Sequence, residues 1–179
     1  MYSYWPCQFE ITDKEAAWER SIEGMKEVAE AAESLGIECC QEVLNRYETY
    51  IITDCREGLE YCRRVGSENV NLLLDTFHMN IEEDNMFTSI KKYISKIGCI
   101  HICENHRGVP GTGHIDWKQL IETLEEVGYD GFLEMETFTE KGTEVARGMG
   151  IWRQIGKETP LEEAKKGIHF LKKTMKQEV

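Results

Sequence analysis

Two hydrophobic patterns alternate along the chain. Apolar residues recur at three- and four-residue spacing from Trp18 to Leu35, which predicts a helix with one buried face. The uninterrupted apolar run at 70–74 predicts a buried strand. Signals of the two kinds follow one another to the end of the chain, so regular elements are expected along most of its length.

Five helices and four strands are predicted from this alternation. The helices begin near residue 12, near 53 or 54, near 85, at 116 and at 159. The strands lie at 37–44, 70–74, 97–103 and 131–137. Thr12 and Glu15 form a capping-box pattern at the first helix, and Gly36 ends it. The glycine-containing stretch 141–159 is predicted as one long loop after the last strand.

Strands that alternate with helices of this length are typical of βαβ units and a parallel sheet. We find no linker and no low-complexity segment. The sequence therefore predicts a single α/β domain over residues 1–179, with four parallel strands alternating with five helices.

Charge and composition narrow the possible partners. The formal net charge is -12, which disfavours nucleic acid and anionic membrane surfaces. No run of 18 apolar residues is present, and the first residues lack a signal-peptide pattern, so a cytoplasmic location is expected. Seven cysteines, two of them adjacent, do not suggest a disulfide framework, so reduced thiols are expected.

A polar residue ends each predicted strand, where an apolar residue would otherwise be expected. These residues are Glu42, Asp75, His101 and Glu136. One such residue carries little information, but four at the same phase of successive βα units form a pattern. If the sheet belongs to a (β/α)8 barrel, its carboxyl ends converge on an active site.

Three carboxylates and one imidazole form an oxygen-rich ligand set that suits a divalent ion such as Mn²⁺, Mg²⁺ or Co²⁺. A cation would also offset the repulsion among the acids. A thiolate zinc site built on Cys99, His101 and Cys103 is conceivable, but residues spaced two apart on one strand differ in depth, and the carboxylates offer the better set. Farther along the same loops, Glu48, His78 and Arg107 are placed to surround a polar ligand.

Six segments resemble the D-tagatose/D-psicose (allulose) 3-epimerases of the xylose isomerase-like TIM-barrel superfamily. In chain order they are DKEAAWERSIEGMKEVAEAAESLG, EVLNRYE, LLLDTFHMNIEED, HICENHRGVPGTGHIDW, YDGFLEMETF and VARGMGIWR. They cover nearly the whole chain. The resemblance implies that the chain is the C-terminal half of a TIM (β/α)8 barrel.

The same resemblance implies roles for individual residues. Four match the family's metal ligands: Glu42, Asp75, His101 and Glu136. Glu42 and Glu136 also match its catalytic carboxylates, and three residues match those that hold the sugar: Glu48, His78 and Arg107. The implied reaction is C3 epimerisation of a ketose through an enediolate, with one divalent ion, Mn²⁺ foremost and Co²⁺ or Mg²⁺ as alternatives.

The chain departs from the family pattern in three places. A full barrel needs roughly 250 residues, whereas this chain supplies four strands, so we expect a homo-oligomer or association with a missing N-terminal half. Glu134 stands where the family usually has an apolar residue, and strand alternation places it one layer below Glu136. Thr137 stands where proline is common.

Other functions stay open at this point. The chain can be a truncated or partner-requiring half-barrel without independent activity. It can also be a metal-dependent eliminase acting on oxidised glycosides, which would use similar proton-abstraction chemistry. An abasic-site endonuclease relative is disfavoured by the acidic charge.

Overall fold

The computed structural model describes residues 13–176, and the four predicted strands form one parallel sheet there. The strands are β1 (Cys39–Glu42), β2 (Val70–Asp75), β3 (Ile97–Ile102) and β4 (Phe132–Met135). They pair in chain order, so β1 and β4 are the edges of the sheet in the described part of the chain. The predicted α/β class and parallel topology are confirmed, and the sheet does not close into a barrel.

Seven α-helices and one 3-10 helix accompany the sheet in the same residues. The α-helices are α1 (Lys14–Leu35), α2 (Cys55–Val65), α3 (Thr76–Glu82), α4 (Met86–Tyr93), α5 (Trp117–Glu126), α6 (Glu144–Gly148) and α7 (Pro160–Lys176). The 3-10 helix, Ile94–Lys96, continues α4 into β3. Two short helices, α3 and α6, therefore add to the five that were predicted.

The ends of the first helix show how local chemistry sets its limits. Thr12, which was predicted to cap this helix, lies outside the described residues. Asp13 is the N-cap, and its carboxylate accepts a hydrogen bond of 2.9 Å from the backbone N–H of Ala16. Gly36 ends the helix as predicted, with φ of +68° in the left-handed region that glycine adopts without strain.

The two additional helices arise from short capping signals. Asp75 closes β2 and caps α3 as well, because its carboxylate accepts a hydrogen bond from the N–H of Phe77. The Thr143 hydroxyl accepts a hydrogen bond from the N–H of Ala146 and starts α6 inside the segment predicted as a loop. The prediction of one long irregular loop at 141–159 is therefore wrong for Glu144–Gly148.

The two faces of the sheet differ in what covers them. Helices pack against one face, where the buried strand residues are Val70, Leu72, Leu74, Ile100 and Ile102. Residues paired between parallel strands share a face, so the pairs Asp75–His101 and His101–Glu134 place these three residues together on the other face. We name that side the open face, because Phe132 on it is 75% exposed.

Cysteines and membrane character complete the description. All six cysteines in residues 13–176 are free thiols, and Cys7 lies outside that range. Within the same residues, every helix is too short or too polar to cross a lipid bilayer.

Candidate functional site

The four predicted metal ligands converge at one edge of the open face. Each offers one ligand atom, and these atoms all lie within 4.8 Å of one another. Glu42 and Asp75 are the last residues of β1 and β2, His101 lies in β3, and Glu136 directly follows β4. Parallel strands bring their carboxyl ends to the same edge, which is why residues far apart in sequence meet there.

His101 provides the test of whether a cation fits this cluster. Its buried Nδ1 atom has no hydrogen-bond partner. The nearby carboxylate oxygens, Oε2 of Glu136 at 3.7 Å and Oε1 of Glu42 at 3.9 Å, are too far away to accept a hydrogen bond. Buried polar atoms are rarely left unsatisfied. An Nδ1 atom without a partner, beside three carboxylates, fits coordination of a divalent ion.

Arg107 brings positive charge to the same acids. Its Nη1 atom donates hydrogen bonds to Asp75 at 2.5 Å and to Glu136 at 2.9 Å. Its guanidinium lies 4.1 Å from the ring centroid of Phe77, and its backbone has φ of +65°, which is uncommon outside glycine. The loop therefore holds Arg107 in a strained conformation that directs the side chain into the site.

Glu104 builds the loop that presents Arg107, and the sequence reasoning did not identify it. It is fully buried and accepts hydrogen bonds from the backbone N–H of Gly111 (2.8 Å) and the indole Nε1–H of Trp117 (2.6 Å). Its backbone carbonyl accepts a hydrogen bond from the N–H of Arg107. No periodicity reveals such a residue; its place two residues after β3 is the one signal in the sequence.

His78 is fully buried beside the cluster, and burial lowers its pKa to about 3, so its ring is neutral. Its Nδ1 atom lies 3.2 Å from the backbone N of Asn45 and 2.8 Å from the amide nitrogen of that residue, and both can donate. The same amide nitrogen donates to Glu48 at 2.9 Å. Asn45, which the sequence reasoning also missed, therefore links His78 to Glu48.

The two glutamates of the cluster differ in their affinity for protons. Burial, together with Glu136 and Asp75, raises the pKa of Glu42 to about 7. His101 and Arg107 lower the pKa of Glu136 to about 2, against the effect of burial. Without a cation, one carboxyl thus tends to hold a proton while the other stays ionised, a separation typical of acid–base pairs.

A second group of ligand-type side chains lies on the far side of the His101 ring. It comprises Cys99, His101 and Glu134, with Nε2 of His101 3.4 Å from Oε2 of Glu134. Cys103, considered earlier for a thiolate site, lies elsewhere: its thiol is 3.4 Å from Oδ1 of Asp75 and donates to it. The structure therefore does not bring Cys99 and Cys103 together around His101.

Comparisons with known proteins find similar sequences over most of the chain. Residues 3–174 match the family model described as xylose isomerase-like TIM barrel. The chain is 44% identical over 156 residues to a D-psicose 3-epimerase of Ruminiclostridium cellulolyticum, covering 87% of this chain and 53% of that protein. It is 38% identical over 140 residues to an L-ribulose 3-epimerase of Mesorhizobium japonicum, covering 77% and 47%.

A solved structure is similar over nearly the whole chain. It is a D-psicose 3-epimerase with D-tagatose from Clostridium cellulolyticum H10, with a TM-score of 0.88 and 41% identity. The match covers 97% of this chain and 62% of that one. The chain thus spans about half the length of the curated relatives that it matches.

Proposed function

This chain belongs to the xylose isomerase-like TIM barrel family, and from that premise we propose that it carries the metal- and substrate-binding half of a ketose 3-epimerase. The observation that supports the proposal best is the convergence of Glu42, Asp75, His101 and Glu136, each with a ligand atom within 4.8 Å of the others. The similarity to D-psicose and L-ribulose 3-epimerases favours a ketose as the substrate.

One divalent cation is the proposed cofactor, with Mn²⁺ first and Co²⁺ or Mg²⁺ as alternatives. Its ligands are the three carboxylates and the Nδ1 atom of His101, which has no other partner. When bound, such an ion supplies Lewis-acid stabilisation of negative charge on the substrate oxygens. The ion also reduces the repulsion among the three acids and lowers their pKa values.

Three residues beside the cluster are proposed to hold the sugar. Arg107 is buried and can donate from its guanidinium, whereas Glu48 can accept hydrogen bonds from sugar hydroxyls. His78 lies between these groups: Nδ1 faces the Asn45 donors, and Nε2 lies 2.9 Å from Nη2 of Arg107, which can only donate.

Glu42 and Glu136 are the proposed acid–base pair. They extend from the two outer strands of the sheet, β1 and β4, so they approach the cluster from opposite sides. One removes the proton at C3 of the ketose, and the other returns a proton to the opposite face of the resulting enediolate. Inversion at one carbon requires two such groups, because a single carboxylate returns the proton to the face from which it came.

The open face supports a second proposal, that activity requires a covering partner. Phe132 on β4 is 75% exposed, and both β1 and β4 are sheet edges in residues 13–176. Exposed edges and apolar side chains of this kind favour association. The partner is either a second copy of this chain or an N-terminal half of the kind that completes the longer relatives. A partner-requiring half-barrel without activity of its own is therefore the alternative function.

The test is an epimerase assay of the purified chain with added Mn²⁺ on D-psicose, D-tagatose and L-ribulose. A parallel sample joins the chain to the preceding half of a 3-epimerase relative. Conversion of a ketose to its C3 epimer by either sample, and its loss in Glu136→Gln, is the expected result. Conversion by the joined protein alone identifies the partner-requiring half-barrel.

Two outcomes would contradict the epimerase proposal. One is the absence of epimerisation in both samples although each binds Mn²⁺. The other is release of a sugar from an oxidised glycoside without inversion of a ketose, which would identify an eliminase instead.

A further inference from the structure

We propose that Glu134 is a positioning residue, which holds His101 in the one tautomer that can bind a metal at the cluster of Glu42, Asp75, His101 and Glu136. The inference rests on the proposed cation site and extends it to a residue below the ligand cluster. Glu134 does not touch the cation in this account. It acts through the imidazole of His101, by accepting a hydrogen bond from Nε2–H.

The two nitrogens of His101 face different surroundings. On one side, Nε2 lies 3.4 Å from Oε2 of Glu134. On the other side, buried Nδ1 has no hydrogen-bond partner and faces Glu42 and Glu136 at 3.9 and 3.7 Å. The nearest carboxylate to the ring, that of Glu134, therefore lies beside Nε2, and the ligand cluster lies beside Nδ1.

The register of the sheet creates this arrangement. His101 of β3 pairs directly with Glu134 of β4, so both side chains extend from the open face at the same level. Glu136, two residues farther along the same chain, extends from that face one layer higher, beside Nδ1. One stretch of chain thus supplies a ligand at 136 and a partner for another ligand at 134.

The tautomer decides whether His101 can coordinate a cation. A neutral imidazole carries one proton, and only the nitrogen without it can donate a lone pair. With the proton on Nε2, the N–H can donate a hydrogen bond to Glu134, and Nδ1 keeps its lone pair for the metal. A carboxylate that accepts the outer N–H of a ligating histidine also raises the basicity of the ligand.

The alternative is that Glu134 is itself a metal ligand, together with Cys99 and His101, because these three residues also lie close enough to share an ion. One contact and one chemical argument favour the positioning role. Sγ of Cys99 lies 3.9 Å from the carbonyl oxygen of Phe132, as a thiol S–H donor would. A cation on Nε2 would also move the ring proton to Nδ1, where the four-residue cluster needs a lone pair.

The first experiment reads the tautomer directly and needs no bound metal. Long-range ¹H–¹⁵N spectra of the metal-free chain are recorded at a pH above the titration of His101, and His101→Gln assigns its signals. The expected result is a protonated Nε2 and an unprotonated Nδ1. A ring protonated on Nδ1 in the wild-type protein would overturn the proposal.

The second experiment measures Mn²⁺ affinity by isothermal titration calorimetry in three variants. Glu134→Leu removes the acceptor, and its dissociation constant is expected to rise by about 10–100-fold. Glu134→Gln keeps an amide oxygen that can accept the same hydrogen bond from Nε2–H, so this variant should retain most of the Mn²⁺ affinity. Glu125→Leu, at an exposed position on α5, controls for the loss of one negative charge. Equal affinities in Glu134→Leu and Glu125→Leu would overturn the proposal.

The absorption spectrum of the chain loaded with Co²⁺ distinguishes a positioning role of Glu134 from a role as metal ligand. Co²⁺ bound by carboxylates and imidazole lacks the thiolate charge-transfer absorption that coordination by Cys99 would produce. A spectrum without that band supports the positioning role, and a band lost in Cys99→Ala contradicts it. If the chain binds no metal at all, the proposed function fails, while the tautomer of His101 still decides the role of Glu134.

Discussion

The two faces of the same four-stranded sheet differ in composition and in cover. On the helix-covered face, Leu72 is fully buried, and a Cβ atom added at Gly58 of α2 would lie 2.9 Å from its side chain. On the open face, the next residue along the strand, Leu73, is partly exposed. Asp75 lies on that same open face, directed into the ligand cluster.

This difference shows how one strand can serve two purposes. Side chains alternate between the faces with a period of two, so every second residue is selected for packing against helices. The intervening residues are released from that requirement and can be charged. Substitutions on the helix-covered face should therefore change stability, whereas substitutions at the edge of the open face should change metal and substrate binding.

The largest effect is expected from neighbouring leucines on opposite faces. Leu72→Ala should lower the free energy of unfolding by about 2–5 kcal/mol, because it leaves a cavity beneath the tightly packed α2. Leu73→Ala, its matched control, should cost less, because that side chain is partly exposed already. Urea denaturation followed by circular dichroism measures both. Equal losses of unfolding free energy would show that the two faces contribute equally to packing, which would contradict the difference between them.

A ligand substitution should show the reverse pattern. Glu136→Gln removes one carboxylate from the cluster, and Mn²⁺ affinity should fall by about 100-fold or more, roughly 3 kcal/mol. The glutamine oxygen can still accept the hydrogen bond from Arg107, but its negative charge is lost, so the unfolding free energy of the metal-free protein should fall by about 1–2 kcal/mol, less than the loss in Mn²⁺ binding.

Calorimetric titration with Mn²⁺ and urea denaturation of the same preparation separate these two effects. Wild-type affinity in Glu136→Gln would exclude Glu136 as a ligand. A large loss of stability would show instead that the open face contributes to packing as the other face does.

A third expected effect concerns pH. The pKa of Glu42 in the folded, metal-free protein is about 7, above its ordinary value of 4.5, because it is buried near other acids. Between these values the folded state binds more protons than the unfolded state, so this residue lowers stability as pH rises. Glu42→Gln should therefore gain stability relative to wild type from pH 4.5 to pH 7.

Denaturation curves measured across that pH range in the presence of a chelator provide the test. Glu125→Gln on the surface of α5 serves as the control for loss of one charge. A constant difference between Glu42→Gln and wild type would contradict the buried, proton-binding state of Glu42.

The fold was largely predictable, because short segments of the sequence carry the signals for individual strands and helix ends. Apolar runs mark the strands, and Gly36 ends the first helix where it was expected. The two short helices escaped prediction for a physical reason. The seven-residue α3 follows β2 directly, with Asp75 as its N-cap, and the five-residue α6 lies among glycines. Neither helix is long enough to show a periodic pattern.

The site was predictable only in part. A polar residue at the end of an apolar strand is visible in the sequence, which is how Asp75 and His101 were selected. Glu104 and Asn45 are different, because their importance comes from hydrogen bonds within their loops and to His78. Such contacts depend on how loops fold back on themselves, and no spacing along the chain encodes them.

The central claim is that side chains from four strands bind one divalent ion at the edge of the open face. Electron paramagnetic resonance of the chain titrated with Mn²⁺, followed by spin-echo measurement of nitrogen coupling, tests it most directly. We expect one bound Mn²⁺ per chain. Its signal should show coupling to one imidazole nitrogen, and that coupling should be lost in His101→Gln. Mn²⁺ that does not bind stoichiometrically, or that binds without nitrogen coupling, would contradict it.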